Sequence, residues 1–219
     1  MKERPILFSA PMVRALLAGT KTQTRRVVKP QPLAVALVPS GNHLFDYRDD
    51  LSDYSRVVDM KKAMTLCPFG QPGDRLWVRE AWQAFFDDEV PADRPRGPRH
   101  TLGQPARPDR KSFVFYRADG DGPVHRDGYK ARWMSPLHLP RKYSRLTIEV
   151  TGVRVERLQE ISEADAIAEG VPNSLHLPGG RFARENFAHL WWEIHGDDAW
   201  EANPWVWVVK FKRVEGGEA

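Results

Sequence analysis

The sequence of 219 residues predicts an α+β fold, a small and mostly antiparallel β-barrel with appended helices. Three observations lead there. Segments with strand character outnumber helical ones, about five or six against three, and they do not alternate as βαβ units. In "SRLTIEVTGVRVERL", Leu146, Ile148 and Val150 alternate, then Gly152 shifts the phase and Val153 and Val155 continue on the other parity. A glycine at a phase slip marks a bulge, and bulges let a sheet curl. Finally, the helical stretches carry their own start and stop residues, which sets them apart from the strands.

The elements follow in order. "APMVRALLAG" is a short helix, with Pro11 in its first turn and Gly19 at its end. "TKTQTRRVV" leaves it as a loop that enters a strand at Val27 and Val28, before Pro30 and Pro32. Residues 31–66 have mixed periodicity and turn-rich pieces, so they read as an insertion holding a hairpin. After the turn at Pro72, Gly73 and Asp74, a strand begins with Leu76, Trp77 and Val78.

A second insertion covers residues 84–111. Its later part, rich in proline and arginine and poor in apolar residues, reads as a solvated loop. "SFVFYRAD" is a strand, and the long Gly152 strand follows it. Ser162 is an N-cap with Asp165 three positions on, and Gly170 closes that helix. Phe187, Leu190, Trp191 and Ile194 form the apolar stripe of a further helix that stops at Gly196. The last strand, "WVWVVKFKRV", puts Trp205, Trp207, Val209 and Phe211 on one face. All of it reads as one domain, residues 1–219.

Thirty-three Lys and Arg against 29 Asp and Glu give a net charge of +4, mildly basic and compatible with nucleic acid. One cysteine, Cys67, excludes a disulfide within the chain and a cysteine-based zinc site. The seven histidines are scattered, and no Gly-rich phosphate loop, GxSxG elbow or His-x-x-x-His pair is present. No metal and no cofactor are expected. The opening residues lack the apolar run of a signal peptide, and nothing approaches the ~20 apolar residues of a membrane span. The expectation is a cytoplasmic monomer without a membrane partner.

The chemistry-bearing stretch is "GTKTQTRRVVKP", with Lys21, Thr22, Thr24, Arg25, Arg26 and Lys29 and no acid. It reads either as a basic solvated turn or as a site for a polar ligand. A lysine whose pKa is lowered by burial would be able to take a proton from a threonine hydroxyl, and a nearby carboxylate would hold that lysine. Trp77, Trp82, Trp205 and Trp207 read as core residues or as base-stacking platforms. Arg75 and Arg79 are ion-pair partners or phosphate contacts, and the arginines of residues 94–111 are solvated or help RNA to bind.

The blocks "GTKTQTRR" after the first helix, "GDRLWVRE" at 73–80 and "LTIEVTGVRVERLQEISEADAIAEG" at 146–170, with the terminal "WVWVVKFKRV", together resemble the ASCH superfamily of PUA-like domains. Insertions of this size resemble its larger, phage- or prophage-associated members. The resemblance implies a β-barrel whose cleft handles RNA or modified nucleosides, with hydrolysis of N(4)-acetylcytidine as the activity of small bacterial members. By that resemblance Lys21, Thr24 and Glu169 are catalytic, with Glu163 in the same helix as the alternative to Glu169. Thr24 would attack the acetyl carbonyl, Lys21 would accept its proton and Glu169 would hold the lysine. Arg26, Arg75 and Trp77 are assigned to substrate binding. The partner is then a modified nucleoside, or RNA if the chain is a binding module with or without ribonuclease activity.

Overall fold

Five strands share one sheet, and the chain visits them out of order. In the computed structural model, residues 1–32, 34–37, 43–48, 55–86, 99–101, 111–121, 132–172 and 182–214 are described. The sheet comprises β1 (Glu3–Leu7), β2 (Gln23–Val27), β6 (Arg75–Arg79), β10 (Thr147–Arg157) and β11 (Trp205–Val214). Its hydrogen-bonded order is β1-β6-β10-β11-β2. β1 and β6 are parallel, and every other pairing is antiparallel. The protein is therefore α+β with a mixed sheet, and β1 is a strand that the sequence reading left out.

Gly152 does what its phase slip predicts. The β10–β11 register shifts between Val150 and Gly152. Before the shift, Thr147, Ile148 and Glu149 also pair with β6. Beyond it β10 leaves β6 and continues with β11 alone, so the bulge separates two partnerships of a single strand. At the far edges, the guanidinium of Arg26 on β2 donates to the Leu7 carbonyl of β1 at 2.7 Å. The first and last strands of the order thus lie within one side chain's reach.

The alternation of β11 serves two cores. Trp205, Trp207, Val209 and Phe211 face one way, as the spacing predicts, and pack with Ile6, Phe8, Val13, Leu76 and Ile148 under α1 (Ala10–Leu17). Val206 and Val208 face the other way and are fully buried against Leu158, Ala166, Phe187 and Trp191. Those residues belong to or border α3 (Glu163–Ala168) and α4 (Ala183–His195). A strand buried on both faces reads as continuous apolar sequence, which is why "WVWVV" has no polar gaps.

The insertions are more structured than the sequence suggests. The hairpin expected in residues 31–66 is present and gains a third strand: β3 (Ala34–Leu37), β4 (His43–Arg48) and β5 (Ser55–Asp59) make an antiparallel sheet. The helix α2 (Met60–Thr65) follows, and Ala63 and Cys67 join the main core, so the end of the 31–66 segment belongs to the domain proper. The second insertion is likewise not a bare loop. β7 (Trp82–Phe86), β8 (Arg99–Thr101) and β9 (Lys111–Tyr116) form a sheet in the order β7-β9-β8. The remaining arginines of residues 94–111 lie outside the described residues. Trp82 packs with Tyr116 and Tyr143 in a small core of its own. Among the described residues, no helix is long and apolar enough to cross a membrane.

Candidate active site

The sequence reading puts "TKTQTRRVV" in a loop, and the structure corrects this. Lys21 makes an isolated bridge to Glu169, and the next five positions but one, Gln23–Val27, are β2. β2 pairs with β11, with Thr24 opposite Val209 and Arg25 opposite Val208. Three charges and three hydroxyls give no strand signal because strand patterning assumes an apolar buried face. Here one buried face is polar, and tertiary partners satisfy its Gln23 and Arg25.

Lys21 has no exposed side-chain surface. Its Nζ donates to Glu169 Oε2 at 2.8 Å and to the Glu169 backbone carbonyl at 2.8 Å. The second carboxylate oxygen of Glu169 accepts from Arg25 Nη1 at 3.1 Å. Glu169 sits at the C-cap of α3, and the next residue, Gly170, has φ +85. A Cβ on Gly170 would lie 2.7 Å from Ala15 Cβ and 3.1 Å from Lys21 Cβ, so only glycine lets α3 end this close to α1. The 22→168 backbone bond, Thr22 N–H to the Ala168 carbonyl at 2.8 Å, closes the same junction.

Burial pushes the Lys21 amine below its ordinary pKa, and Glu169 partly opposes that. Glu163 does not enter this geometry. Its carboxylate accepts from the Arg184 backbone N–H at 3.3 Å, at the start of α4. Of the two glutamates weighed from the sequence, Glu169 is the one beside Lys21.

Thr24 is 1% exposed and lines a cavity of about 720 Å³ together with Lys21, Arg26 and Glu169. Its hydroxyl has no hydrogen-bond partner among the described residues, and Lys21 directs its bonds to Glu169 rather than to Thr24. Lys21 and Thr24 thus share one cavity without a direct bond between them. The apolar walls come from Phe8, Met12 and Phe69 on one side and Leu190, Trp191 and Ile194 of α4 on the other. The α4 stripe is therefore only partly core. Phe187 and Trp191 are buried, whereas Ile194 is 50% exposed and faces the cavity.

Arg25 is the residue that sequence reasoning underrated. It is fully buried, its Nε donates to Glu156 Oε1 at 3.0 Å, and its Nη2 reaches Asp165 Oδ2 at 3.2 Å. Arg154 joins from β10, bonding Glu156 at 2.8 Å and Asp165 at 2.7 Å. Lys21, Arg25 and Arg154 thereby meet Glu156, Asp165 and Glu169, three cations against three carboxylates. Only the alternation of "EVTGVRVER" opposite "TRR" hinted at this, since Arg154 and Arg25 both register with Val208.

Two of the residues assigned to substrate binding stand elsewhere. The cavity opens at the C-terminal ends of β1 and β6, lined there by Leu7, Phe8 and Arg79. Arg75 lies at the opposite end of β6, in register with Glu3, and does not line the cavity. Trp77 is 8% exposed and also outside the lining; Arg79 covers its ring at 4.5 Å. Arg26 does line the cavity, 5.4 Å over the Phe8 ring. Cys67 is buried and its thiol is pushed up to about 11, which leaves it protonated and unreactive near neutral pH. Among the described residues, no three His, Cys, Asp or Glu side chains gather as a metal site would. No protein family, no curated protein and no solved structure matches the chain.

Proposed function

We propose that the protein is an amidohydrolase that removes the acetyl group of N(4)-acetylcytidine or a closely related acylated cytidine. The observation that carries this reading is the buried Lys21 amine, 2.8 Å from Glu169, on the floor of a cavity that also holds the unbonded hydroxyl of Thr24. A desolvated lysine has the lowered pKa that a general base needs, and a threonine without an internal hydrogen bond is free to meet a carbonyl carbon.

In this reading the Thr24 oxygen bonds to the acetyl carbon as Lys21 takes the hydroxyl proton. The C–N bond then breaks, and Lys21 passes that proton to the departing exocyclic nitrogen. Water hydrolyses the acetyl-threonine ester, with Lys21 again receiving and returning a proton, and acetate leaves. Glu169 holds the lysine in place, and Arg25 holds Glu169 from its other oxygen. A backbone N–H donates to the oxyanion, which leaves Arg26 to bind the rest of the substrate. The fold reading that accompanies the activity is a PUA-like barrel of the ASCH superfamily. The Gly152 bulge and the Arg26–Leu7 bond between the end strands support such closure.

Burial also favours a small substrate over a polymer. Thr24 is almost inaccessible, so an acyl group must enter the cavity end-on. RNA binding is the second reading, favoured by the arginines and aromatic rings of the cavity rim. One assay separates the two. The protein is incubated with N(4)-acetylcytidine and with single-stranded RNA, and cytidine, acetate and RNA fragments are followed. Deacetylation that disappears in Thr24→Ala is the expected outcome. RNA binding or cleavage with no deacetylation would replace the amidohydrolase reading by the second one.

A further inference from the structure

One wall of the cavity carries donors with nothing to receive them. The side chain of Arg79, at the C-terminal end of β6, lies over the Trp77 ring but makes no hydrogen bond or ion pair among the described residues, and its buried Nε is unpartnered. Arg26 bonds only the Leu7 carbonyl and likewise forms no ion pair among the described residues. The two arginines converge on the end of β1. Leu7 is the register partner of Arg79 and the acceptor for Arg26, and the Phe8 N–H donates to the Arg79 carbonyl at 3.0 Å. Across the cavity, Trp191 is 5% exposed, and its indole N–H is buried without an acceptor. Glu169 is the one carboxylate in the lining among the described residues, and Lys21 and Arg25 already occupy it.

A guanidinium partly withdrawn from water without an ion-pair partner is unfavourable, and this cavity holds two that are half-buried beside aromatic walls. The pairing that relieves this is an acceptor-rich anion. A guanidinium fork matches phosphate oxygens in two parallel hydrogen bonds, and two forks around one strand end match a terminal phosphate better than a single ribose hydroxyl. The geometry points to a nucleoside 5′-monophosphate as the ligand, its base towards Thr24 and its phosphate between Arg26 and Arg79. The identity of the base rests on the proposed function; the phosphate rests on the arginines alone.

The test measures binding rather than turnover, so the two readings fail separately. The full chain is titrated with N(4)-acetylcytidine, with its 5′-monophosphate, and with inorganic phosphate as competitor, by calorimetry. The monophosphate is expected to bind about ten- to a hundredfold more tightly than the nucleoside, the range of charge-assisted hydrogen bonds. Inorganic phosphate should compete with it. Arg79→Met should pull the affinity ratio towards one, and Arg79→Lys, which keeps the charge but not the fork, should restore part of it. Arg75→Met, on the same strand but outside the cavity, should leave the ratio as it is. Equal affinities in the unmodified chain, no binding of either compound, or a ratio that survives Arg79→Met in a normally melting protein would overturn the inference. A preserved phosphate preference without any deacetylation would instead sink the amidohydrolase reading and leave this one standing.

Discussion

Arg25 and Arg26 are neighbours in sequence with opposite fates. Both line the cavity, but Arg25 is wholly buried and shared among Glu156, Asp165 and Glu169, while Arg26 is half-buried with one backbone carbonyl and the face of Phe8 for company. Strand alternation is the cause, since successive side chains of β2 leave on opposite faces. One face is closed by α3 and its acids, and the other is left open under β1. The lesson is that the two cations differ in what they are available for. A charge whose acidic partners are all internal holds the fold, and a charge with one neutral acceptor is left for the ligand proposed above.

The sharpest break of the comparison is Thr24→Ala, on the open face. Turnover of N(4)-acetylcytidine should fall by at least about 10³-fold, as for loss of a nucleophile. The melting temperature should barely move, because the hydroxyl has no internal partner. A Thr24→Ala protein that retains its rate would remove Thr24 from the mechanism.

On the closed face the effect should be on stability. Arg25→Met leaves three buried or half-buried carboxylates without their shared cation, and about 3–5 kcal/mol of unfolding free energy should be lost. Arg26→Met should cost under about 1 kcal/mol, as for a side chain with a single neutral acceptor. Chemical denaturation of both variants measures the contrast, and equal losses would erase the distinction drawn between the faces.

The junction that brings Glu169 to Lys21 should also be sensitive. Gly170→Ala forces a Cβ into the left-handed region and against Ala15, at a cost of about 1–3 kcal/mol. The same variant should slow turnover more than an equally destabilising substitution in the β7–β9 sheet. A purely thermal effect, with the rate of the folded protein intact, would mean that α3 need not approach α1 so closely.

The smallest expected effect is on pH dependence. Burial lowers the Lys21 pKa in the folded chain, so the neutral amine that the proposed mechanism uses as base appears as pH rises, with an inflection below the ordinary lysine range. Glu169 opposes the shift, and Glu169→Gln should therefore move the inflection to lower pH while reducing the maximal rate. The linkage sign agrees. Between the folded value and the ordinary one, the unfolded chain holds more protons, so this group's contribution to stability rises with pH across that window. An inflection that moves upward in Glu169→Gln would contradict the assignment of Glu169 as the partner of the lysine.

What the sequence determined by itself is local. Pro11 and Gly19, Ser162 and Gly170, and Gly196 delimit helices through backbone chemistry that needs no distant partner. The Gly152 phase slip and the alternation of Trp205 to Phe211 likewise follow from a period of two along one strand. Tertiary structure decided the rest. β1 escaped notice because Pro5 interrupts "ERPIL" and its strand hydrogen bonds depend on β6, which lies 72 positions away at the Glu3–Arg75 pair. The strand character of "QTRRV" required acids from 131 to 144 positions further along the chain, as the Arg25 bonds to Glu156 and Glu169 show. Nor did any spacing separate Arg79 from Arg75, which share a face of one strand. Which of them reaches the cavity depends on the end of β6 at which β1 stops and α1 begins, a choice made only when the sheet is assembled.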